Sequence, residues 1–151
     1  DTGYGKAAEI YMSGKQYGWY NWHYIPQHLH IAIFKGWEYV EELPFLKPSP
    51  DGLSILLTSP VLLYAFVASR RDATVRLLWL STALTAAALV PYFYQGWVQF
   101  GYRYLLDALP YLIVLVAMGM RERGLAPLLF LAEFSALSNA LGVYWGKKLG
   151  W

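Results

Sequence analysis

Hydrophobic residues in this chain gather into four long blocks, all of them beyond residue 50. Leu53 to Ser69, LSILLTSPVLLYAFVAS, carries no charge, but it is short for a membrane span and contains Pro60. Leu77 to Trp97, LLWLSTALTAAALVPYFYQGW, is also uncharged, is long enough for about 30 Å of hydrocarbon, and ends in interface-favouring Tyr and Trp. Leu105 to Met120 follows with Asp107 in its first turn, and Leu125 to Trp145 closes the set with one charge, Glu133, near its middle. The pattern predicts an all-α integral membrane fold. Residues 51–151 form about four transmembrane helices in two hairpins.

The first third, residues 1–50, has a different pattern. Tyr11, Tyr17, Trp19, Tyr20, Trp22 and Tyr24 crowd a stretch with no steady apolar period, and aromatic residues of this kind favour the headgroup layer. Within it, Asn21 is placed to cap and Pro26 to start a short helix through IPQHLHIAIF, which Gly36 would end. LPFLKPSPDG, with prolines at 44, 48 and 50, reads as an extended approach to the first span. The segment is therefore expected to be extracytoplasmic and interfacial.

Composition and charge sharpen this reading. The chain is 57% hydrophobic and only 15% charged, which favours a membrane protein over a soluble domain of the same length. A net charge of +2, with no basic stripe, gives nucleic acid no footprint. The arginines serve better as topology markers. Arg70, Arg71 and Arg76 in one short loop, with Arg121 and Arg123 in another, place both loops in the cytoplasm and both ends of the chain outside. Lys147 and Lys148 run against that assignment, although lysines beside a last span can snorkel to either interface. Cysteine is absent, which removes disulfides and thiol chemistry. The start at Asp1, without a methionine or a leader, reads as part of a longer or processed chain.

Several residues are candidates for chemistry. His23, His28 and His30 lie near Glu38, Glu41 and Glu42, but His28 and His30 are two apart and fall on different helix faces, so contacts with lipid headgroups or with the rest of the protein suit them better than a metal. No metal site or other cofactor is assigned, and a divalent ion stays an open alternative. Glu133, an ionisable group within a span, is either a proton or substrate contact or a carboxyl paired with Ser135, Ser138, Asn139 or a neighbouring helix, and the structural reading is preferred. Asn139 and the small residues around it suit close helix packing. Arg103 and Asp107 are four apart, so on a helix they can touch. Arg103 also suits a phosphate at the outer interface, flanked by Tyr102 and Tyr104, and the anchoring and ligand-binding readings stand side by side.

WVQFGYRYLLDALPYLIVLVAMG, with PSPDGLSILLTSPVLLYAF before it and GVYWGKKLGW at the end, resembles the C-terminal half of multi-span bacterial membrane proteins placed near the protein-mannosyltransferase-like glycosyltransferases of the C-type fold. The resemblance covers most of the chain from about Gly18. It implies sugar transfer from a polyprenyl-phosphate donor at the extracytoplasmic face of a bacterial cytoplasmic membrane. In that group the catalytic acid lies in the first external loop, which nothing here matches, so no catalytic role passes to Asp1. What carries over is Arg103 as a donor-phosphate ligand, with Asp107 orienting it and Tyr102 and Tyr104 beside it. The implied partners are membrane lipids, the lipid-linked sugar and a missing N-terminal part of the same protein. A non-catalytic scaffold or a transporter-like helical bundle is the competing reading.

Overall fold

A computed structural model of the chain describes residues 4–94, 96 and 99–150 and is mostly helical. The α-helices are α1 (Tyr4–Tyr17), α2 (Ile25–Leu29), α3 (Ile55–Thr58), α4 (Ala73–Leu89), α5 (Leu105–Arg123) and α6 (Ala126–Leu149). Two 3-10 segments, Trp22–Tyr24 and Pro60–Val67, and a π-helical turn, His30–Phe34, join them. Strands β1 (Glu38–Tyr39) and β2 (Leu46–Lys47) pair antiparallel, Glu38 opposite Lys47 and Tyr39 opposite Leu46. The extended approach expected around Pro44 to Pro50 is thus partly a small hairpin. Helix α1 was not foreseen.

The first apolar block is broken where its proline stands. Ser54 caps α3 by accepting from the Leu56 N–H at 3.1 Å, and the helix stops at Thr58. Proline disfavours helical backbone in the residue before it, and Ser59 has φ −144° and ψ 54°. The chain then continues as the 3-10 segment. The break leaves the Thr58 carbonyl and the Val61 N–H without helical partners, and α6 supplies both: Asn139 Nδ2 donates to Thr58 O at 2.8 Å, and Ser135 Oγ accepts from Val61 N at 3.3 Å. Polar residues in an apolar helix therefore have a structural use. They satisfy a broken neighbour.

Asp72 starts α4 by accepting from Thr74 N at 2.7 Å, and the helix ends at Leu89, two residues before Pro91. At 17 residues it is about 25 Å long, shorter than the span expected from Leu77 to Trp97. The tail of that block, including Gln95 and Trp97, lies outside the described residues. Helix α5 has 19 residues but carries Asp107, Arg121, Glu122 and Arg123. Among the described residues only α6, with 24 residues, combines the length and apolarity needed to cross a membrane. The expectation of four such helices is corrected to one, because Pro60 splits the first, Pro91 shortens the second and charges occupy both ends of the third.

The core lies among Ala65 of the 60–67 segment, Ala68 just after it, Val75 of α4, and Ala108, Leu112 and Leu115 of α5. Helices α5 and α6, expected to pair as a hairpin, each pack on the 60–67 segment instead. Arginines from both loops share one end of the bundle, where Ser69 N donates to Glu122 Oε1 at 2.8 Å. The aromatic first third sits at the other end, tied to the chain after α4 by Asn21 N to Pro91 O at 2.9 Å and by Phe93 N to Trp19 O at 3.0 Å. The α6 C-terminus also ends there: Trp145, 1% exposed, donates its indole N–H to Leu46 O at 2.6 Å. Lys148 pairs with Glu42 at 2.8 Å, so this lysine is matched by a carboxylate where its charge opposes the arginine rule.

Candidate functional site

Two hollows meet at the end of the bundle opposite the arginine loops. The larger, about 430 Å³, is almost wholly apolar and runs between α2, α3, the 60–67 segment, α4 and α5, with Ile55, Leu62, Ala86, Leu89 and Ala108 in its walls. Phe66 and Trp79, with rings 4.7 Å apart, also line it, and the buried Trp79 Nε1–H has no acceptor among the described residues. The smaller hollow, about 290 Å³, is polar by comparison, and is lined by Thr58, Gln99, Arg103 and Asn139 among others. Ser59, Tyr102 and Leu105 line both. That shared wall puts a cationic recess directly beside an oily one.

The turn before α5 shapes the junction. Leu105 N donates to Tyr102 O and Leu106 N to Arg103 O, both at 3.0 Å, so residues 102 to 106 wind into the helix start. Tyr102 turns inward and is buried, whereas Arg103 turns outward with its guanidinium 5.9 Å from the centre of the Tyr104 ring. Helix α5 begins at Leu105, so Arg103 precedes it and the four-residue spacing does not bring it onto the Asp107 face. The two make no ion pair in the structure. Arg103 and its flanking tyrosines are gathered; Asp107 does not join them as an orienting group.

His28 belongs to this junction although its sequence context suggests an exposed interface residue. It is 1% exposed: Nε2 lies 2.9 Å from Tyr92 O and Nδ1 lies 2.7 Å from the Tyr102 hydroxyl. A carbonyl only accepts, so Nε2 carries the proton and the neutral ring accepts from Tyr102 at Nδ1. Burial lowers the His28 pKa below the usual histidine value, while the hydrogen bond to Tyr92 opposes that shift. Burial likewise raises the Tyr102 and Tyr104 phenols, so both remain protonated donors at neutral pH. Tyr104 uses its hydroxyl to donate to Tyr94 O. The other two histidines are exposed, His23 stacked on Tyr17 at 4.1 Å and His30 beside Phe34. Among the described residues no three His, Asp or Glu side chains are grouped to hold a metal ion.

The polar candidates on α6 divide. Asn139 reaches the smaller hollow and also holds the Thr58 carbonyl. Glu133 lies on the opposite side of α6 from the buried Ser135, Ser138, Gly142 and Trp145, so the pairing with Ser135, Ser138 or Asn139 is not formed. Glu133→Gln keeps the shape of this outward-facing side chain and removes its ionisable group, so it should cost no more than about 0.5 kcal/mol of stability. Denaturant unfolding in micelles measures this. A loss several times larger would mean that Glu133 has a structural contact after all.

No family model, curated protein or solved structure matches this chain.

Proposed function

We propose that the chain is the membrane-embedded, donor-binding part of a transferase that takes a sugar from a polyprenyl-phosphate carrier at the extracytoplasmic face. The observation that supports this most directly is the wall of Ser59, Tyr102 and Leu105 shared by the two hollows. An amphiphile with an anionic head and a long hydrocarbon tail needs a cationic recess opening onto an apolar one. Arg103 would meet the phosphate through its planar fork, and the cavity beneath Tyr102 would take the isoprenoid chain. The reacting acid would come from another part of the protein.

Placement in a bilayer is part of the proposal. Helix α6 is about 36 Å long, enough to cross hydrocarbon, and α4 and α5 present Leu77, Leu80, Leu84, Ile113 and Val114 outward, as lipid-facing helices do. The arginine-rich end would face the cytoplasm and the aromatic end the outer headgroups.

Farnesyl methyl phosphate is a suitable probe because it joins a short isoprenoid to a phosphodiester of fixed single charge. The chain in lipid nanodiscs should bind it, while farnesol and dimethyl phosphate, each with half of the chemistry, should bind far more weakly. Ala86→Trp would fill the tail cavity from an exposed position of α4 and should weaken probe binding about tenfold, the order expected when a buried apolar group loses its site. Equal affinity for the probe and for farnesol would reject donor binding and favour a scaffold that only solvates lipid.

A further inference from the structure

We infer that His28 is a positioning residue for lipid-phosphate binding, holding Tyr102 and Tyr104 so that Arg103 faces the head-group recess. The inference rests on the donor-binding reading above and adds to it a residue from the aromatic first third of the chain. His28 lies on α2, remote in sequence from the 92–104 segment that it organises. One ring nitrogen is fixed by Tyr92 O at 2.9 Å, and the other receives the Tyr102 hydroxyl at 2.7 Å. The same imidazole lies edge-on to the Tyr102 ring at 5.9 Å and tilted against the Tyr104 ring at 5.6 Å. Tyr102 and Tyr104 are themselves 5.7 Å apart, and Tyr104 carries the Arg103 guanidinium on its face. A single buried ring therefore touches both tyrosines that flank the arginine. Tyr102 is also the aromatic residue common to both hollows, so its rotation would alter the recess and the tail cavity together.

This arrangement needs the neutral ring. Protonated His28 would have donors at both nitrogens, so Nδ1–H would donate to the Tyr102 oxygen and the hydroxyl proton would lose its acceptor within a buried site. Among the described residues, the titratable and charged groups facing the ring are the Tyr102 and Tyr104 phenols, with Arg103 beyond Tyr104. His23 and His30, on the flanking turns, are exposed.

The test measures farnesyl methyl phosphate binding to the chain in nanodiscs from pH 8 to pH 5, the range in which histidine charge changes while the phosphodiester charge does not. Wild-type affinity should hold at neutral pH and fall on the acid side of the usual histidine pKa. His28→Gln keeps an acceptor for Tyr102 and a donor for Tyr92, so it should bind within about threefold of wild type and lose the acid fall, whereas His28→Phe orphans both partners and should bind about tenfold more weakly at every pH. Helix content by circular dichroism identifies a variant that has not folded, and the Gln profile then decides alone. A Gln variant that keeps the wild-type acid fall, or a folded Phe variant with wild-type affinity, overturns the positioning role. If wild type binds the probe and Arg103→Leu does not, either of those results overturns the His28 inference alone and leaves the donor-binding reading standing. If wild type fails to bind at any pH, both readings fall.

Discussion

Gly119→Val should destabilise the bundle by about 3 kcal/mol, the upper part of the range for overpacking a well-filled core. A Cβ at Gly119 would collide with the Tyr64 carbonyl oxygen and sit 3.3 Å from both Ala68 N and Val67 Cβ. The first two obstacles are backbone atoms, which cannot swing aside as a side-chain tip can. Helix α5 and the 60–67 segment would have to separate at the edge of the cluster of Ala65, Ala68, Leu112 and Leu115. Gly146, on the outer part of α6, meets nothing within 4 Å, so Gly146→Ala should be neutral or stabilising by about 0.5 kcal/mol from its helix preference. Denaturant titration of the purified chain in micelles compares the two. Gly119→Val unfolding at the same midpoint as wild type would show that α5 and the 60–67 segment do not pack this closely.

The long apolar helices were legible because α4, α5 and α6 each hold more than four turns of largely apolar residues, although the stop that Pro91 imposes on α4 was not anticipated in the span read through to Trp97. The short helix after Asn21 was legible too, since a capping side chain and a following proline act locally: Asn21 Oδ1 accepts from His23 N at 2.9 Å. Helix α1 gave no such signal. Its YGKAAEIYMSGKQY run has no continuous apolar stripe, and Tyr24 on a later turn helps hold its end, donating to Ser13 O at 3.0 Å. Pro60 announced a break, but not that Asn139 and Ser135 would satisfy it from α6.

The site was harder to read for two separate physical reasons. A four-residue spacing predicts contact only when both residues are helical, and the turn from Tyr102 to Leu105 places Arg103 outside α5. His28 is buried by Tyr92 and Tyr102, residues more than sixty positions away, and no local pattern encodes that. What sequence could convey was the cluster of tyrosines around a single arginine. What it could not convey was the apolar cavity behind them.

Arg103→Leu should weaken farnesyl methyl phosphate binding by about tenfold to a hundredfold, the loss expected when a charge-assisted hydrogen-bonding partner of a phosphate is removed. Arg103→Lys keeps the charge but replaces a planar fork with a point donor, so it should recover part of that loss. Asp107 decides between ligand binding and mere anchoring. Were Arg103 a partner of Asp107, Asp107→Leu would free a cation and disturb binding, and the double change with Arg103→Leu would restore what either single change lost. With no ion pair between them and Arg103 lying before α5, Asp107→Leu should bind the probe within about threefold of wild type, and the double variant should be as weak as Arg103→Leu alone. Raising the salt concentration should weaken binding to wild type more than to Arg103→Leu, because an exposed guanidinium meets the phosphate in a screened setting. Wild-type affinity in the double variant would return Arg103 to the role of an anchor and leave the recess without its phosphate ligand.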